Sequence, residues 1–363
     1  MPILIDSHCD LAWNMLCFGR DYKRSAAQTR ELEKGSIAVE VNGDTLLGWP
    51  DYQRGKTAIV FSTLYAAPRR EQEGKWDKLC YDDANGAHTL YSQQLDAYHA
   101  LCESGPDFFQ LILNRRDLDT HMRTWRDPTK QERPVGLVVL MEGADGIRNP
   151  DELAEWHERG LRLIGLAWAG TRYSGGTKHP GPLTDDGRQL LKAMAGFGFV
   201  LDLSHMDEMA ALEALDLYDG PIVATHVNCL ALLPEFATNR HFSDTALRRI
   251  IERGGIIGNM PVNAFLKTGW SNKKGSSRDE VPLSAFIAHI DHVCQLAGDS
   301  LHSAIGTDFD GGFGVQSVPP EIDTIADVQK VAGLLEQRGY APEDAENVFN
   351  SNWLKLLSAA LPG

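Results

Sequence analysis

The chain has 363 residues, of which 43% are hydrophobic, and it carries a formal net charge of −15. This composition can build a large core, while the acidic balance argues against a surface that binds nucleic acid. No apolar run approaches the roughly 20 residues of a membrane span, and the N-terminus lacks a signal-peptide pattern. Six scattered cysteines show no CxxC spacing, which is typical of reduced thiols. We therefore expect a soluble, cytoplasmic protein.

Eight short segments rich in apolar residues predict strands, and most of them precede a helical pattern. In chain order the predicted strands are 3–5, 57–62, 135–141, 163–167, 199–203, 222–225, 255–260 and 303–306. The predicted helices that follow them include 150–159, 184–197, 206–215, 243–253 and 282–297. Alternating strands and helices indicate a parallel sheet, and eight strands can close into a barrel. The predicted fold class is therefore α/β, a (β/α)8 TIM barrel.

The segment 66–133 departs from this alternation, and we interpret it as an insertion within the barrel. It contains two helical stretches, near 83–103 and 118–126, and a candidate extra strand at 109–113. No internal repeat or low-complexity tract divides the chain. Residues 1–363 are therefore expected to form a single catalytic barrel domain.

Histidines and carboxylates follow five of the eight predicted strands. In chain order they are His8, Asp10, Glu142, His205, His226 and Asp308. His8 and Asp10 are two residues apart, so on an extended backbone their side chains face the same side. In a β/α barrel the carboxyl ends of the strands share one face, where the active site is built. We therefore expect these side chains to converge.

The types of these side chains indicate a metal-dependent hydrolase. Imidazole and carboxylate groups suit zinc, and one carboxylate can join two ions through its two oxygens. Two zinc ions that share a water molecule make it a hydroxide near neutral pH, which can attack a carbonyl carbon. Asp308 is placed to pass a proton to the leaving amine, and Asp310 in the same segment competes for this role. Arg240 is a candidate for binding a substrate carboxylate or the oxyanion.

These motifs resemble the membrane (renal-type) dipeptidases, peptidase family M19, within the amidohydrolase superfamily. The resemblance runs nearly end to end and is carried by DSHCDLAWN, LMEGADGI, GPLTDDGRQLLKAM, LDLSHM, VATHVN, HIDHVCQLAGDSLHSAIGTDFDGG and NVFNSNWLKLL. It implies a zinc-dependent dipeptidase with two zinc ions, which hydrolyses the peptide bond of free dipeptides. It also implies that His8, Asp10 and Glu142 bind one ion, and that Glu142, His205 and His226 bind the other.

The same resemblance implies the roles of two further residues and an oligomeric state. Asp308 would be the general acid and base, and Arg240, in the segment ATNRHFSD, would contact the substrate. The family resemblance also implies a homodimer. Manganese, iron or cobalt would suit the same nitrogen and oxygen ligands.

One position departs from the family pattern. Members usually place a histidine after the fourth strand, where it helps to stabilise the oxyanion, and this chain has Trp168 there. Tryptophan offers one N–H donor and no cation, so we expect Trp168 to contact the substrate in a re-tuned pocket. The alternative function is hydrolysis of another small amide, such as an N-acyl amino acid or a cyclic amide. His179 or Arg172 is hypothesised to replace the missing donor. A barrel without catalysis is a third interpretation, against which the complete ligand set argues.

Overall fold

The computed structural model describes all 363 residues, Met1–Gly363. Eight parallel strands form the barrel wall, and each is hydrogen-bonded to the next in chain order. They are β1 (Leu4–Cys9), β2 (Thr57–Tyr65), β3 (Val135–Glu142), β4 (Leu161–Gly165), β5 (Val200–Asp202), β6 (Ile222–Ala224), β7 (Ile256–Asn259) and β8 (Ser303–Ile305). All eight predicted strands are confirmed, with their ends shifted by a few residues.

The last strand returns to the first, so the barrel is nearly closed. A parallel bridge joins Cys9, at the end of β1, to Phe309, which follows β8. The buried carboxylate of Asp6 accepts hydrogen bonds from the backbone N–H and the hydroxyl of Thr307, at 2.7 and 2.6 Å. The prediction of a (β/α)8 barrel is thereby confirmed.

Strand β1 is longer than the sequence predicted. It continues through Asp6, Ser7 and His8, all of which are fully buried. A polar residue is tolerated in a buried strand when it finds a partner across the core, and the Ser7 hydroxyl donates to the carbonyl oxygen of Thr225 at 2.6 Å. His8 therefore lies within β1 and not after it, while Asp10 follows the strand directly.

The helices surround the barrel on its outer side and cover its ends. Their bounds are Leu11–Phe18, Ala26–Glu33, Ile37–Asn42, Trp49–Arg54, Ala84–Ser104, Arg115–Arg126, Leu153–Glu158, Asp185–Phe197, Glu208–Leu217, Asp244–Glu252, Leu283–Ala297, Lys330–Gln337, Pro342–Glu346 and Asn352–Ala360. The predicted helix starts at Thr184 and Ser243 are confirmed, because both side chains accept a backbone N–H of the first turn. None of the helices combines the length and the apolar character that a membrane crossing requires.

The predicted insertion forms the connection between β2 and β3. It contains the helices Ala84–Ser104 and Arg115–Arg126, as predicted, and the short strand Phe109–Leu111. That strand pairs in parallel with the first half of β3, where β4 has not yet begun to pair. Two shorter pairs, Ala67–Pro68 with Cys80–Tyr81 and Ser174–Gly176 with His179–Leu183, lie in loops beyond the strand ends.

The amino end of the barrel is closed by the C-terminal helix Asn352–Ala360. Trp353 packs edge to face on Phe61 of β2, with ring centroids 5.1 Å apart. The side-chain amide of Asn352 donates to the carbonyl oxygen of Ser303, the first residue of β8, at 2.8 Å. The amino end of the barrel is thus sealed by packing. The side chains that can carry chemistry lie at the carboxyl ends of the strands.

Candidate active site

The structure brings the five predicted metal ligands and the predicted proton carrier Asp308 together at the carboxyl ends of the strands. Within each of three groups, the ligand atoms lie within 4.8 Å of one another. The groups are His8 with Asp10 and Glu142; Glu142 with His205 and His226; and His8 with His226 and Asp308. Adjacent groups share a residue, which is the arrangement that two neighbouring cations require.

The carboxylate of Glu142 faces both sides of this cluster. Its Oε2 atom is 3.6 Å from Nε2 of His8, and its Oε1 atom is 3.1 Å from Nε2 of His205 and 3.4 Å from Nε2 of His226. One oxygen is thus directed at His8 and the other at His205 and His226. This geometry fits a carboxylate that joins two metal ions.

The distances around His8 also fit a cation. Its Nε2 atom is 3.7 Å from Asp10 Oδ2 and 3.8 Å from Asp308 Oδ1, which is too long for a hydrogen bond. Both ring nitrogens of His8, and Nε2 of His226, are buried without any hydrogen-bond partner. Ligands about 2.1 Å from a shared tetrahedral ion are roughly 3.4 Å apart. The residues present therefore fit a metal, since an ion would supply the partner that Nε2 of each of these two rings lacks.

The electrostatics of the cluster support the same conclusion. Burial raises the pKa of Asp308 well above its usual value and that of Asp10 to about 6. Burial alone would lower the pKa of His8, but the carboxylates of Glu142, Asp10 and Asp308 together outweigh it and raise that pKa to about 10. Burial lowers the pKa of His205 to about 3. The three crowded carboxylates of Asp10, Glu142 and Asp308 would thus be stabilised by a nearby cation. Neutral imidazole is the form of histidine that binds a metal.

A buried relay orients the ring of His226. Its Nδ1 atom is 2.9 Å from the hydroxyl of Thr225, and that hydroxyl donates to Asp202 Oδ2 at 2.5 Å. Because the threonine proton is committed to the carboxylate, the threonine oxygen accepts from Nδ1–H of the ring. The relay therefore leaves the lone pair of Nε2 directed at Glu142.

A second threonine holds His205. The Thr177 hydroxyl lies 3.0 Å from Nδ1 of His205 and is placed there by the turn between the strands Ser174–Gly176 and His179–Leu183. His205 itself has a positive φ of 65°, which non-glycine residues adopt only where surrounding contacts hold them. In both His205 and His226, a threonine hydroxyl lies next to Nδ1. Nε2, on the opposite side of the ring, therefore faces Glu142.

The structure separates Asp308 from its competitor Asp310. Asp308 faces His8, whereas Asp310 is fully buried in another network. The carboxylate of Asp310 accepts from the Tyr22 hydroxyl at 3.0 Å and from the backbone N–H of Leu46 at 2.9 Å. Next to them, a Cβ on Gly311 would come within 2.2 Å of Asp308 Oδ1. Only glycine therefore fits beside the carboxylates.

Arg240 is buried beside the cluster, with 3% of its surface exposed. Its Nη2 atom donates to the carbonyl oxygen of His226 at 2.8 Å, while Nη1 has no partner. Burial lowers the pKa of Arg240 to about 10, so the guanidinium keeps its charge at neutral pH. A buried cation with one free N–H group is suited to bind an anionic group.

Trp168 lies next to His205, with the two ring centroids 6.0 Å apart. The ammonium group of Lys178 is 5.4 Å from the centroid of the Trp168 ring. The two residues hypothesised to replace the missing donor are bound elsewhere. His179 Nε2 contacts Glu71 at 2.6 Å, and the Arg172 guanidinium donates to the carbonyl oxygen of Ile147.

One face of the Ala84–Ser104 helix holds the strand ends that carry the site. The hydroxyl of Tyr91 donates to the carbonyl oxygen of Glu142 at 2.9 Å. The amide of Gln94 accepts from the backbone N–H of Tyr65 and donates to its carbonyl oxygen, at 2.9 and 2.7 Å. Tyr98 donates to the carbonyl oxygen of Thr63 at 2.7 Å. No sequence motif includes these residues, and the only local signal for them is their helical spacing on one buried face.

Thr63 and Tyr65, at the end of β2, also border the site, although no sequence motif includes them. The hydroxyl of Thr63 donates to Asp10 Oδ1, and Tyr65 is the register partner of Glu142 across β2 and β3. The predicted β2 ended at residue 62, before either residue. An extension of its apolar and β-branched run would have identified them.

Comparisons with known proteins agree with this geometry. The family model described as membrane dipeptidase (peptidase family M19) matches residues 1–361. An uncharacterised protein encoded in the pqqA 5′ region of Klebsiella pneumoniae is 30% identical over 73% of this chain and 94% of its own length. The dipeptidase tcpJ of Claviceps purpurea is 26% identical over 86% of this chain and 69% of its own length. A Rhodobacter sphaeroides metallopeptidase, solved with a phosphinate mimic of the dipeptide L-Ala-D-Ala, superposes with a TM-score of 0.78 at 22% identity, over 99% of this chain and 100% of that one.

Proposed function

The chain belongs to the membrane dipeptidase family, peptidase family M19, and from this premise we propose that it is a binuclear zinc dipeptidase acting on free dipeptides. The observation that carries the proposal is the carboxylate of Glu142, which directs one oxygen at His8 and the other at His205 and His226. In this proposal His8, Asp10 and Glu142 hold one ion, and Glu142, His205 and His226 hold the other. The bound ions would activate water and polarise the amide carbonyl.

Asp308 is the proton carrier of the proposed reaction. Its carboxylate lies 3.8 Å from His8 Nε2, at the edge of the cluster, and burial favours its uptake of a proton. It would accept a proton from the attacking water and donate it to the leaving amine. Arg240 would bind the carboxylate of the dipeptide through its free Nη1 atom, and Trp168 would bound the pocket beside His205. A buried anchor for a free carboxylate favours short substrates.

The first experiment measures hydrolysis and metal content together. Zinc-loaded protein is incubated with a panel of L,L- and L,D-dipeptides, and the released amino acids are quantified, with Asp308→Asn as the matched control. We expect release by the wild type, loss of release in Asp308→Asn, and two zinc ions per chain in both proteins. A wild type that binds both ions and cleaves no dipeptide would refute the dipeptidase proposal.

The shared ligand gives a second test of the binuclear arrangement. Glu142→Ala removes a ligand from both proposed sites, whereas Asp10→Ala removes a ligand from one. Zinc measured by mass spectrometry after dialysis should therefore fall towards zero in Glu142→Ala and towards one ion in Asp10→Ala. Equal losses in the two variants would argue against two ions that share Glu142.

Trp168 favours one alternative function. It places a large apolar ring, with one N–H donor, 6.0 Å from the ring of His205. Such a wall would suit a substrate with an apolar group at this position, such as an N-acyl amino acid or a cyclic amide. Including both classes in the substrate panel separates the two functions. Turnover of these amides without turnover of dipeptides would support the alternative.

A further inference from the structure

Tyr65 is the last residue of β2. Of the first three barrel strands, β2 alone contributes no proposed metal ligand. Residues two apart in a strand face the same side, and Thr63, two residues before it, reaches Asp10 with its hydroxyl. Tyr65 must therefore face the site as well. Its register partner in the parallel neighbour β3 is Glu142, so Tyr65 lies beside Glu142 at this end of the barrel.

The ring and the backbone of Tyr65 are held firmly, while its hydroxyl is free. The Gln94 amide makes two hydrogen bonds to the Tyr65 backbone. The ring packs edge to face on Trp168 and Trp13, with centroids 5.1 and 6.2 Å apart. No atom of the chain hydrogen-bonds the hydroxyl. A preorganised donor with no partner inside the protein is what a catalytic hydrogen bond requires.

We propose that the Tyr65 hydroxyl donates a hydrogen bond to the oxygen of the substrate carbonyl as that oxygen gains negative charge. This inference rests on the proposed amide hydrolysis and adds a catalytic residue to it. No proton is transferred by Tyr65 in this step: the O–H bond stays intact while water adds to the carbonyl carbon. Burial and the neighbouring Glu142 carboxylate raise the pKa of Tyr65, which keeps the phenol protonated and able to donate.

The indole N–H of Trp168 is the competing donor. The centroid of its ring is 6.0 Å from that of His205 and 5.4 Å from the Lys178 ammonium. Tyr65 is the better placed of the two, because its register position is beside the carboxylate that both proposed ions share. Tyr65→Phe removes the hydroxyl and keeps the ring, whereas Trp168→Phe removes the indole N–H and leaves a smaller aromatic ring.

The experiment compares Tyr65→Phe with Trp168→Phe and with Tyr340→Phe, a control that removes a hydroxyl bonded to Asp291 on the outer helix Leu283–Ala297. For each zinc-loaded protein, kcat and KM for a dipeptide are measured, together with the inhibition constant of a phosphinate mimic of L-Ala-D-Ala. Loss of one oxyanion donor lowers kcat roughly 10²–10³-fold. We expect this loss in Tyr65→Phe with little change in KM, and a parallel weakening of phosphinate binding. Tyr340→Phe should match the wild type.

Each outcome decides between the proposals. If the wild type hydrolyses dipeptides and Tyr65→Phe keeps both its kcat and its phosphinate affinity, the role of Tyr65 is refuted while the dipeptidase proposal stands. If Trp168→Phe carries the loss instead, the indole is the donor and the inference fails. If Tyr65→Phe loses zinc, its effect is structural, which also overturns the inference. A wild type without amide hydrolysis overturns both proposals.

Discussion

Replacing Asp310 by asparagine should destabilise the protein strongly, although Asp310 contacts no proposed metal ligand. The carboxylate is fully buried and lies 3.1 Å from Nη1 of Arg20. It also accepts from the hydroxyls of Tyr22 and Thr45 at 3.0 and 2.5 Å. An amide of the same size turns one acceptor oxygen into a donor that faces two hydroxyls and a guanidinium. Breaking a buried ion pair in this way costs about 3–5 kcal/mol.

The expected change in melting temperature follows from chain length. Unfolding entropy is roughly 2.1 cal/mol/K per residue, so 363 residues give about 0.76 kcal/mol/K, and 3–5 kcal/mol lowers Tm by about 4–7 °C. Differential scanning calorimetry at one metal concentration measures this shift. In the double variant Arg20→Met/Asp310→Asn the loss should be smaller than the sum of the single losses. A Tm within 1 °C of the wild type for Asp310→Asn would refute the reasoning.

Asp310→Asn should also lower turnover at temperatures where the variant is folded. Asp308 and Asp310 have positive φ angles of 59° and 65°, a conformation that costs about 1–2 kcal/mol per residue unless contacts hold it. The Asp310 contacts fix this segment, so their loss should displace Asp308 from His8. A destabilised variant with unchanged kcat at low temperature would show that the network serves stability alone.

Four further predictions concern metal binding, substrate binding and pH. Thr225→Val removes the acceptor of His226 Nδ1–H and should weaken zinc binding about 10–100-fold. Competition titrations with a chelator measure this affinity. The control Thr57→Val, which removes a buried hydroxyl without a partner, should leave it unchanged. Removing metal with a chelator should lower Tm in scanning fluorimetry, because the crowded carboxylates of the site then lose their counter-charge; an unchanged Tm would contradict this. Arg240→Met should raise KM for dipeptides but not for dipeptide amides, which lack the carboxylate, and equal effects on both would exclude the anchoring role. Burial lowers the pKa of His121 to about 4. The contribution of neutral His121 to the free energy of unfolding is therefore complete above pH 6.5 and is lost towards pH 4, at up to about 1.4 kcal/mol per pH unit. Urea unfolding of His121→Gln should show a weaker pH dependence in this range.

The strand positions were predictable from sequence because each strand is a short apolar run between polar loops. The ends of the strands were less predictable where the strands contain buried polar residues. The sequence pattern ends β1 at the first polar residue, yet the strand continues through Asp6 and His8. Asp6 is stabilised there by Thr307, 301 residues away. No local pattern contains that partner, so the extension of β1 could not be read from the sequence.

The proposed ligands were predictable because each lies at, or just after, the carboxyl end of a strand, and these ends meet at one face of the barrel. The residues that orient them were not. Thr225 is ordinary in sequence, and its role depends on Asp202, which lies 23 residues earlier on another strand. Arg20 meets Asp310 only because β8 closes onto β1. Contacts of this kind depend on barrel closure, which a reading of individual segments does not include.

The segment 66–133 shows why an insertion need not be peripheral. The sequence predicts two helices and an extra strand here, but no contact between them and the strand ends of the barrel. In the structure, Tyr91, Gln94 and Tyr98 of this helix bond backbone atoms at the ends of β2 and β3, and each bond fixes a residue that faces the site. The amino end of the barrel needs no such support, since apolar packing around Trp353 closes it. The carboxyl end leaves its polar groups open for substrate, so the rigidity that catalysis needs has to come from outside the barrel wall, and the inserted helix provides it.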